Sequence, residues 1–316
     1  MIDRSYIPTF DDVLAARRRI EGVVRGTPAM RFEALSDLID GSAWLKCENL
    51  QVGGAFKYRG ATNAVLSLDD ATSSRGVATH SSGNHGACLG LAAKRRGIAA
   101  HVVVPMNVSP TKLRLIEATG ASVTFCEPDV TAREAALAAI VERTGATVVH
   151  PYDDALVIAG QGTATLELME DVRGLDAIVA PISGGGLMSG TAIAAHGVDA
   201  TAELIGAEPA LAADAAESLR SRALLPALPT SGTTMADGLR AALCARTFEV
   251  LRVHVRHVVT VSEDQIAEAM RYTLEHTGMR IEPSAAVAIA AVRADLPRFE
   301  GRRVGIIVTG GNIEAT

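Results

Sequence analysis

Residues 183–187, with the sequence SGGGL, could bind an anion. They follow an apolar, strand-like run and precede a run with helical periodicity. Consecutive glycines allow backbone N–H groups to converge on an anion, and a helix start adds partial positive charge. No Gly-Lys-Ser/Thr triplet follows, so this is not a Walker loop. The alternative is a tight turn with close packing.

A second segment, residues 81–86 with the sequence SSGNHG, lies at another strand-to-helix junction. Small hydroxyls and an amide at a helix start suit a carboxylate or a ring oxygen as ligand. The alternative is an ordinary serine N-cap with an incidental asparagine and histidine.

The third candidate is Lys57, within the glycine-rich residues 53–60, GGAFKYRG. Lysine shifts its pKa readily when it is desolvated, and its neutral amine forms Schiff bases with carbonyl compounds. The alternative is a solvated lysine. Together, the three segments predict a site built where strands lead into helices.

The elements around these segments alternate between β-branched runs and helical Ala/Leu-rich runs, which indicates βαβ units and a mainly parallel sheet. The first series has expected strands at 76–82, 98–105, 121–127 and 146–151, and expected helices at 84–97, 109–120 and 131–145. A second series has an expected helix at 155–172 and expected strands at 176–183, 202–209 and 302–311. Thr9 is the expected N-cap of a preceding amphipathic helix, and a strand is expected at 42–50, before the glycine-rich residues 53–60. We expect two α/β domains that meet at a cleft, a large one formed by 1–52 and 152–316 and a small one formed by 53–151.

The composition excludes several classes of protein. The 316 residues are 48% hydrophobic and 21% charged, with a net charge of −6 and 3% aromatic residues. This apolar content excludes an intrinsically disordered chain. The net negative charge and the few aromatic residues argue against a nucleic-acid-binding protein. No apolar run reaches the roughly 20 residues of a membrane span. The four cysteines form no CxxC pair, so we expect a reduced, cytoplasmic enzyme with no nucleic-acid or membrane partner.

The chain resembles the fold-type II pyridoxal-phosphate enzymes. ENLQVGGAFKYRGA, HSSGNHG, PISGGGLMSG and VTGGN occur in the order and spacing of that family, from about residue 7 to the C-terminus. More narrowly, it is similar to the branch that holds serine racemase, serine/threonine dehydratases and 3-hydroxyaspartate dehydratase. The resemblance implies a tryptophan synthase β-like fold, two open and mostly parallel sheets with the active site between the domains, and pyridoxal 5'-phosphate as the cofactor.

The resemblance also implies roles for individual residues. Lys57 would bind the cofactor covalently and act as the base on the substrate Cα–H, with Phe56 beside it. Asn84 would bind the ring hydroxyl oxygen, Thr309 would face the pyridine nitrogen, and Glu282 would lie near the ring or merely begin a helix. The cofactor phosphate would bind the backbone of Ser183, Gly184, Gly185, Gly186 and Leu187. Ser183 replaces a glycine of the family and is tolerable there if its φ is ordinary.

On the substrate side, the resemblance implies a carboxylate-binding loop formed by Ser81, Ser82, Asn84 and His85. Ser82 matches the serine that acts on the opposite face of the cofactor from the lysine in serine racemase, and Arg133 matches an arginine on a helix that covers the site. Arg133 could pair with a second substrate carboxylate; the alternative is a solvated arginine.

Glu208, Ala212 and Asp214 form a candidate metal site. Two carboxylates with a carbonyl oxygen between them give three oxygen ligands, and water could complete an octahedron suited to Mg²⁺. The alternative is a capped helix start. The positions of the two carboxylates match the divalent-metal site of the serine-racemase branch.

The expected reaction is a β-elimination that converts a β-hydroxy-α-amino acid into a 2-oxo acid and ammonia. Serine or threonine and threo-3-hydroxyaspartate both stay open as substrates. Serine racemisation is the third hypothesis, and it is opposed by Ala241 and Tyr152, which depart from the residues usual in the racemases. Family members are commonly dimers, so we expect a homodimer.

Overall fold

The structure, a computed structural model, describes residues 6–198 and 201–313. Its strands, in chain order, are β1 (Ala29–Arg31), β2 (Ser42–Cys47), β3 (Val77–Thr79), β4 (Ala100–Pro105), β5 (Ser122–Cys126), β6 (Thr147–Val148), β7 (Ala177–Pro181), β8 (Glu203–Pro209), β9 (Val255–Val261) and β10 (Arg303–Val308). Its α-helices are α1 (Phe10–Ile20), α2 (Glu33–Leu38), α3 (Lys57–Ser67), α4 (Asp70–Ser73), α5 (Asn84–Arg96), α6 (Pro110–Glu117), α7 (Val130–Thr144), α8 (Ala155–Asp171), α9 (Gly186–Val198), α10 (Asp214–Ser221), α11 (Ala245–His254), α12 (Glu263–Thr277), α13 (Pro283–Ala294) and α14 (Leu296–Phe299).

The strands form two sheets, as expected from the alternating pattern. The larger sheet has the order β1-β2-β10-β7-β8-β9, and only β1 runs antiparallel to its neighbour. The smaller sheet has the order β5-β4-β3-β6 and is parallel throughout. All strands of the smaller sheet lie within the predicted small domain. The exact domain boundaries stay a prediction.

Helices cover both faces of the larger sheet. Along β7, Ile178 and Ala180 pack into the cluster formed with α8 and α9. Their neighbours Ala177 and Val179 pack into the cluster formed with α13 on the opposite face. Successive side chains of a strand point to opposite faces, so a strand that is buried on both sides reads as a continuous apolar run. This explains why β7 was recognisable in the sequence.

The predicted cap of the first helix is confirmed. The Thr9 hydroxyl accepts from the Asp12 N–H, and the Asp12 carboxylate accepts from the Thr9 N–H at 2.8 Å. This reciprocal capping box satisfies two backbone donors that the helix cannot pair internally.

Helix α3, which carries Lys57, is held closely against α8. A Cβ atom added at Gly160 would lie 2.6 Å from the Cα atom of Gly60, so only glycine permits this separation of the two backbones. The Gly60 N–H donates to the Gln161 side chain at 3.1 Å, and the Asn63 amide donates to the Leu156 carbonyl at 2.7 Å. The first two turns of α3 are thereby fixed relative to α8.

Within residues 6–198 and 201–313, no helix combines the length and the apolar character needed to cross a bilayer.

Candidate active site

The predicted site residues lie where strands end and helices begin. Lys57 and Asn84 are the first residues of α3 and α5, and Glu282 immediately precedes α13. The SGGGL segment links β7 to α9, and Thr309 directly follows β10. Open α/β sheets bind ligands beyond the carboxyl ends of their strands, and these residues are so placed.

The Lys57 amine is held inside this site by a backbone carbonyl. Its Nζ donates to the Pro151 carbonyl oxygen at 2.7 Å and lies 5.0 Å from the centre of the Phe56 ring. Burial lowers the pKa of Lys57 to about 8. A lysine with this pKa is partly neutral near physiological pH, and the neutral amine is the form that attacks a carbonyl.

Asn84 and Glu282 are bonded to each other across the site. The Asn84 amide nitrogen donates to both carboxylate oxygens of Glu282, at 2.9 and 3.0 Å, and Asn312 donates to the Asn84 oxygen at 2.9 Å. Burial raises the pKa of Glu282 to about 7. The side chain of Glu282 makes no capping bond to its own helix, so its contacts lie across the site with Asn84. Asn312 was not singled out, although it lies in the quoted VTGGN motif.

The glycine loop has the close packing that its sequence requires. A Cβ atom added at Gly184 would lie 2.5 Å from Cγ of Tyr152, and one at Gly186 would lie 2.9 Å from Cβ of Tyr152. The first N–H groups of α9, which begins at Gly186, have no acceptor within the helix. This cradle therefore fits a phosphate group, with the helix start supplying donors and partial positive charge.

The condition set for a serine at position 183, an ordinary φ, is not met. Its φ is +53°, in the left-handed region that costs a non-glycine residue about 1–2 kcal/mol. The Ser183 hydroxyl exchanges two hydrogen bonds of 3.3 Å with the backbone of Ala241, which offset part of this strain.

Thr309 provides an independent sign of a bound ring. Its side chain is 3% exposed, and its hydroxyl oxygen has no hydrogen-bond partner among the described residues. Buried hydroxyls are normally paired. A pyridine nitrogen fits this orphaned group, as a hydroxyl can donate to it.

The residues of the SSGNHG loop lie in two different environments. Ser81 and Ser82 are half-buried between β3 and α5. The His85 imidazole, in contrast, is buried, and its Nε2 lies 3.1 Å from the Val149 carbonyl oxygen. Burial lowers the pKa of His85 to about 3, so this ring is neutral. The ring therefore points into the small-domain core, away from a role as a cation for a substrate carboxylate.

Two histidines that were not assigned a role from the sequence lie beside this loop, together with Tyr152 and Arg133. The rings of His80 and His150 have centroids 5.3 Å apart, and those of His150 and Tyr152 are 4.6 Å apart. Arg133, in the first turn of α7, is half-buried and lowers the pKa of both His80 and Tyr152. No described carboxylate lies within ion-pair distance of its guanidinium. These residues come together only in the folded protein, because most of them are far apart along the chain.

Glu208 and Asp214 meet at the end of β8 and the start of α10. They are 0% and 1% exposed. One Glu208 oxygen accepts from the Ala216 N–H at 2.8 Å, whereas its other oxygen and both Asp214 oxygens have no described partner. Burial raises the pKa of Glu208 well above its usual range and that of Asp214 to about 6.

Buried carboxylates are normally paired or metal-bound, so these orphaned oxygens fit a divalent cation. The described part of the chain holds no cluster of three or more His, Cys, Asp or Glu side chains arranged for a metal. A cation here would therefore rely on the two carboxylates, the Ala212 carbonyl and water.

Comparison with known proteins agrees with this geometry. Residues 20–310 match the family described as "Pyridoxal-phosphate dependent enzyme". The chain is 44% identical over 309 residues to a beta-hydroxyaspartate dehydratase from Paracoccus denitrificans (strain Pd 1222), with 98% of each chain covered. It is 43% identical to a serine racemase from Arabidopsis thaliana, with 98% of this chain and 94% of that protein covered. A solved structure of serine racemase from maize superposes with a TM-score of 0.95 at 39% identity, covering 98% of this chain and 95% of that one.

The family match, these relatives and the arrangement of the two sheets agree with one another. The chain belongs to the pyridoxal-phosphate dependent enzymes and has the architecture of their fold-type II members.

Proposed function

We propose that this protein is a pyridoxal-phosphate-dependent dehydratase that converts a β-hydroxy-α-amino acid into a 2-oxo acid and ammonia. The observation that carries the proposal is the Lys57 amine, whose pKa burial lowers to about 8, at one site with the glycine cradle and the unpartnered Thr309 hydroxyl. The similarity to a beta-hydroxyaspartate dehydratase supports it.

Threo-3-hydroxyaspartate is the substrate that the site favours. Its second carboxylate requires a cation, and Arg133 is a half-buried cation with no described ion-pair partner. A charge-assisted hydrogen bond from such a group contributes about 1.5–3 kcal/mol. Serine or threonine needs no such partner and would leave Arg133 unused.

Bound pyridoxal phosphate supplies an electron sink for the Cα–H bond of the substrate. Lys57 Nζ takes the Cα proton, and the Pro151 carbonyl is an acceptor for the resulting ammonium. The Ser81–Ser82 loop and Asn84 bind the substrate carboxylate at the start of α5. Thr309 would give the ring nitrogen of the cofactor a neutral hydrogen-bond partner, which would not force protonation as a carboxylate would and so would favour loss of the β-hydroxyl.

The overall reaction balances without an added oxidant. Hydroxyaspartate loses water across Cα–Cβ, the resulting enamine tautomerises to an imine, and water then hydrolyses it. The products are oxaloacetate and ammonia.

Racemisation is a second candidate activity, because the chain is 43% identical to a serine racemase. Inversion at Cα requires an acid/base on each face of the substrate, and Ser82 would act opposite Lys57. Formation of D-serine from L-serine measures this activity directly.

The proposal also includes a bound divalent cation, an oligomeric state and a cellular location. The buried Glu208 and Asp214 pair supports a divalent cation, Mg²⁺ by its all-oxygen ligands. A homodimer follows from the family resemblance, and the four free cysteines support the cytoplasm.

The test of the central proposal is product analysis with purified holoenzyme and Lys57→Ala. We expect ammonia and 2-oxo acid in equal amounts from the wild type, and neither from Lys57→Ala, which also loses the visible absorbance of the bound cofactor. Lys94→Ala, at an exposed position of α5, is the matched control and should retain both properties. Turnover by Lys57→Ala would refute the assignment.

A further inference from the structure

We propose that His80 is part of the substrate site and, as an imidazolium, binds the side-chain carboxylate of the dicarboxylic substrate together with Arg133. The inference rests on the proposed dehydratase function and adds a substrate-binding residue to it. His80 would thereby make selection of a dicarboxylic substrate dependent on pH.

His80 lies at the edge of the proposed substrate site. It directly follows β3 and directly precedes Ser81, the first residue of the loop proposed to hold the substrate α-carboxylate. Its half-buried ring lies edge-on to His150, with centroids 5.3 Å apart and an interplanar angle of 74°. The His150 ring in turn contacts the ring of Tyr152, which packs against the glycine loop. The series of rings thus runs from the substrate loop to the phosphate cradle.

The rings of His150 and His80 have different hydrogen-bond partners. His150 Nδ1 accepts from the Asp153 N–H at 2.8 Å and from the Tyr152 N–H at 3.3 Å. These two bonds hold the His150 ring in place beside the His80 ring. The His80 ring bonds its own backbone, and this contact raises the pKa of His80 and so favours the imidazolium.

One cation, one anion and two histidine rings face His80. Arg133 and Glu134 approach from α7, His85 from α5 and His150 from the segment that follows β6. Burial lowers the pKa of His80, the hydrogen bond to its own backbone raises it, Arg133 lowers it and Glu134 raises it, and the net direction is downward. In the free enzyme His80 is therefore neutral at pH 7, since its pKa lies below the ordinary value of about 6.5.

A carboxylate placed between His80 and Arg133 reverses this balance. An anion within about 4–6 Å favours the charged form of histidine, so the imidazole takes up a proton as the ligand binds. Arg133 also lies in the first turn of α7, where the helix dipole disfavours a cation and favours an anion. The positive charges of His80 and Arg133 are therefore less stable without a bound carboxylate than with one.

The first test measures proton uptake by wild-type holoenzyme. Aspartate carries the second carboxylate but no β-hydroxyl to eliminate, and alanine carries neither, so both are binding probes. Calorimetric titration near pH 7 in buffers of different ionisation enthalpy gives the protons exchanged with each. We expect aspartate to take up more protons than alanine, by up to one per site. Equal uptake, or failure of aspartate to bind, would overturn the proposal.

The second test compares His80→Asn with His101→Asn. His101 lies on the neighbouring strand β4 of the same sheet, opposite Ala78, and serves as the matched control. We expect His80→Asn to lower the ratio of kcat/KM for threo-3-hydroxyaspartate over serine by about tenfold or more, and His101→Asn to leave the ratio unchanged. The wild-type kcat/KM for hydroxyaspartate should also fall more steeply than that for serine as the pH rises above the free-enzyme pKa of His80, which lies below about 6.5, and His80→Asn should remove this difference.

Failure of this inference is distinguishable from failure of the proposed function. If no hydroxy amino acid yields ammonia, the dehydratase assignment itself is wrong. If ammonia is formed but the two substrates share one pH profile in wild type and His80→Asn, only the role of His80 is refuted. If His80→Asn does not fold, the proton-uptake measurement on the wild type decides.

Discussion

The ε-amino group of Lys57 donates a hydrogen bond of 2.7 Å to the carbonyl oxygen of Pro151. Lys57 begins α3, and Pro151 lies in the segment between β6 and α8. The same segment packs Tyr152 against the glycine loop and pairs Asp153 with Arg246 at 3.3 Å. It therefore connects the proposed catalytic base with the proposed phosphate site.

The lowered pKa of Lys57 predicts how cofactor binding depends on pH. Only the neutral amine attacks the cofactor aldehyde, and burial lowers the pKa of Lys57 to about 8. The fraction of Lys57 that is neutral falls about tenfold for each pH unit below this pKa and approaches one above it. We therefore expect the rate of covalent reconstitution of cofactor-free protein to rise with pH up to about 8 and then level off. A rate that is flat between about pH 6 and 9, followed by absorbance, would contradict this account of Lys57.

The contact between Gly184 and Tyr152 predicts a pair of compensating substitutions. Gly184→Ala places a Cβ atom 2.5 Å from the Tyr152 ring, so the ring or the loop must shift. We expect the Kd for pyridoxal phosphate to rise about tenfold or more, since overpacking typically costs 1–3 kcal/mol. Tyr152→Ala in the same chain should recover most of this loss.

Gly232→Ala is the control for this pair, because nothing lies within 4 Å of a Cβ atom added at Gly232. It should leave the Kd for the cofactor unchanged. If Tyr152→Ala fails to rescue Gly184→Ala, the loop geometry rather than the tyrosine contact determines affinity.

Part of this site follows from the sequence alone, and part requires the three-dimensional contacts. The strand-to-helix junctions at Lys57, Asn84 and residues 183–187 were predictable because strongly periodic elements flank them. Strands β1 and β9 were not anticipated: β1 has three residues, and much of β9 is exposed, so neither gives a clear buried run.

The side-chain environments were harder to predict than the elements. His85 belongs to the recognised SSGNHG motif, yet its ring bonds a carbonyl 64 positions away in the chain. The positive φ of Ser183 likewise depends on the tertiary contact with Ala241. Long-range contacts of this kind leave no periodic signal in a single sequence.

The buried carboxylates predict that a divalent cation stabilises the protein. Mg²⁺ at about 100 times its Kd would contribute about 2.7 kcal/mol, which corresponds to a Tm increase of about 4 °C for a chain of this length. We expect a chelator to lower the Tm of the wild type by this amount and to have little effect on Asp214→Asn. Asp264→Asn, an exposed carboxylate in the first turn of α12, is the matched control and should respond to chelation as the wild type does. A wild-type Tm that chelation leaves unchanged would refute the metal site.

The central claim is tested most directly by ammonia release from threo-3-hydroxyaspartate, serine and threonine, compared side by side with holoenzyme and Mg²⁺. Arg133→Gln is the informative variant, and Arg143→Gln, at an exposed position of the same helix, is its control. We predict that kcat/KM of the wild type is highest for hydroxyaspartate. Arg133→Gln should lower that value by about ten- to a hundredfold, and Arg143→Gln should not change it. A wild type that prefers serine or threonine, with no effect of Arg133→Gln, would contradict the proposed second-carboxylate site.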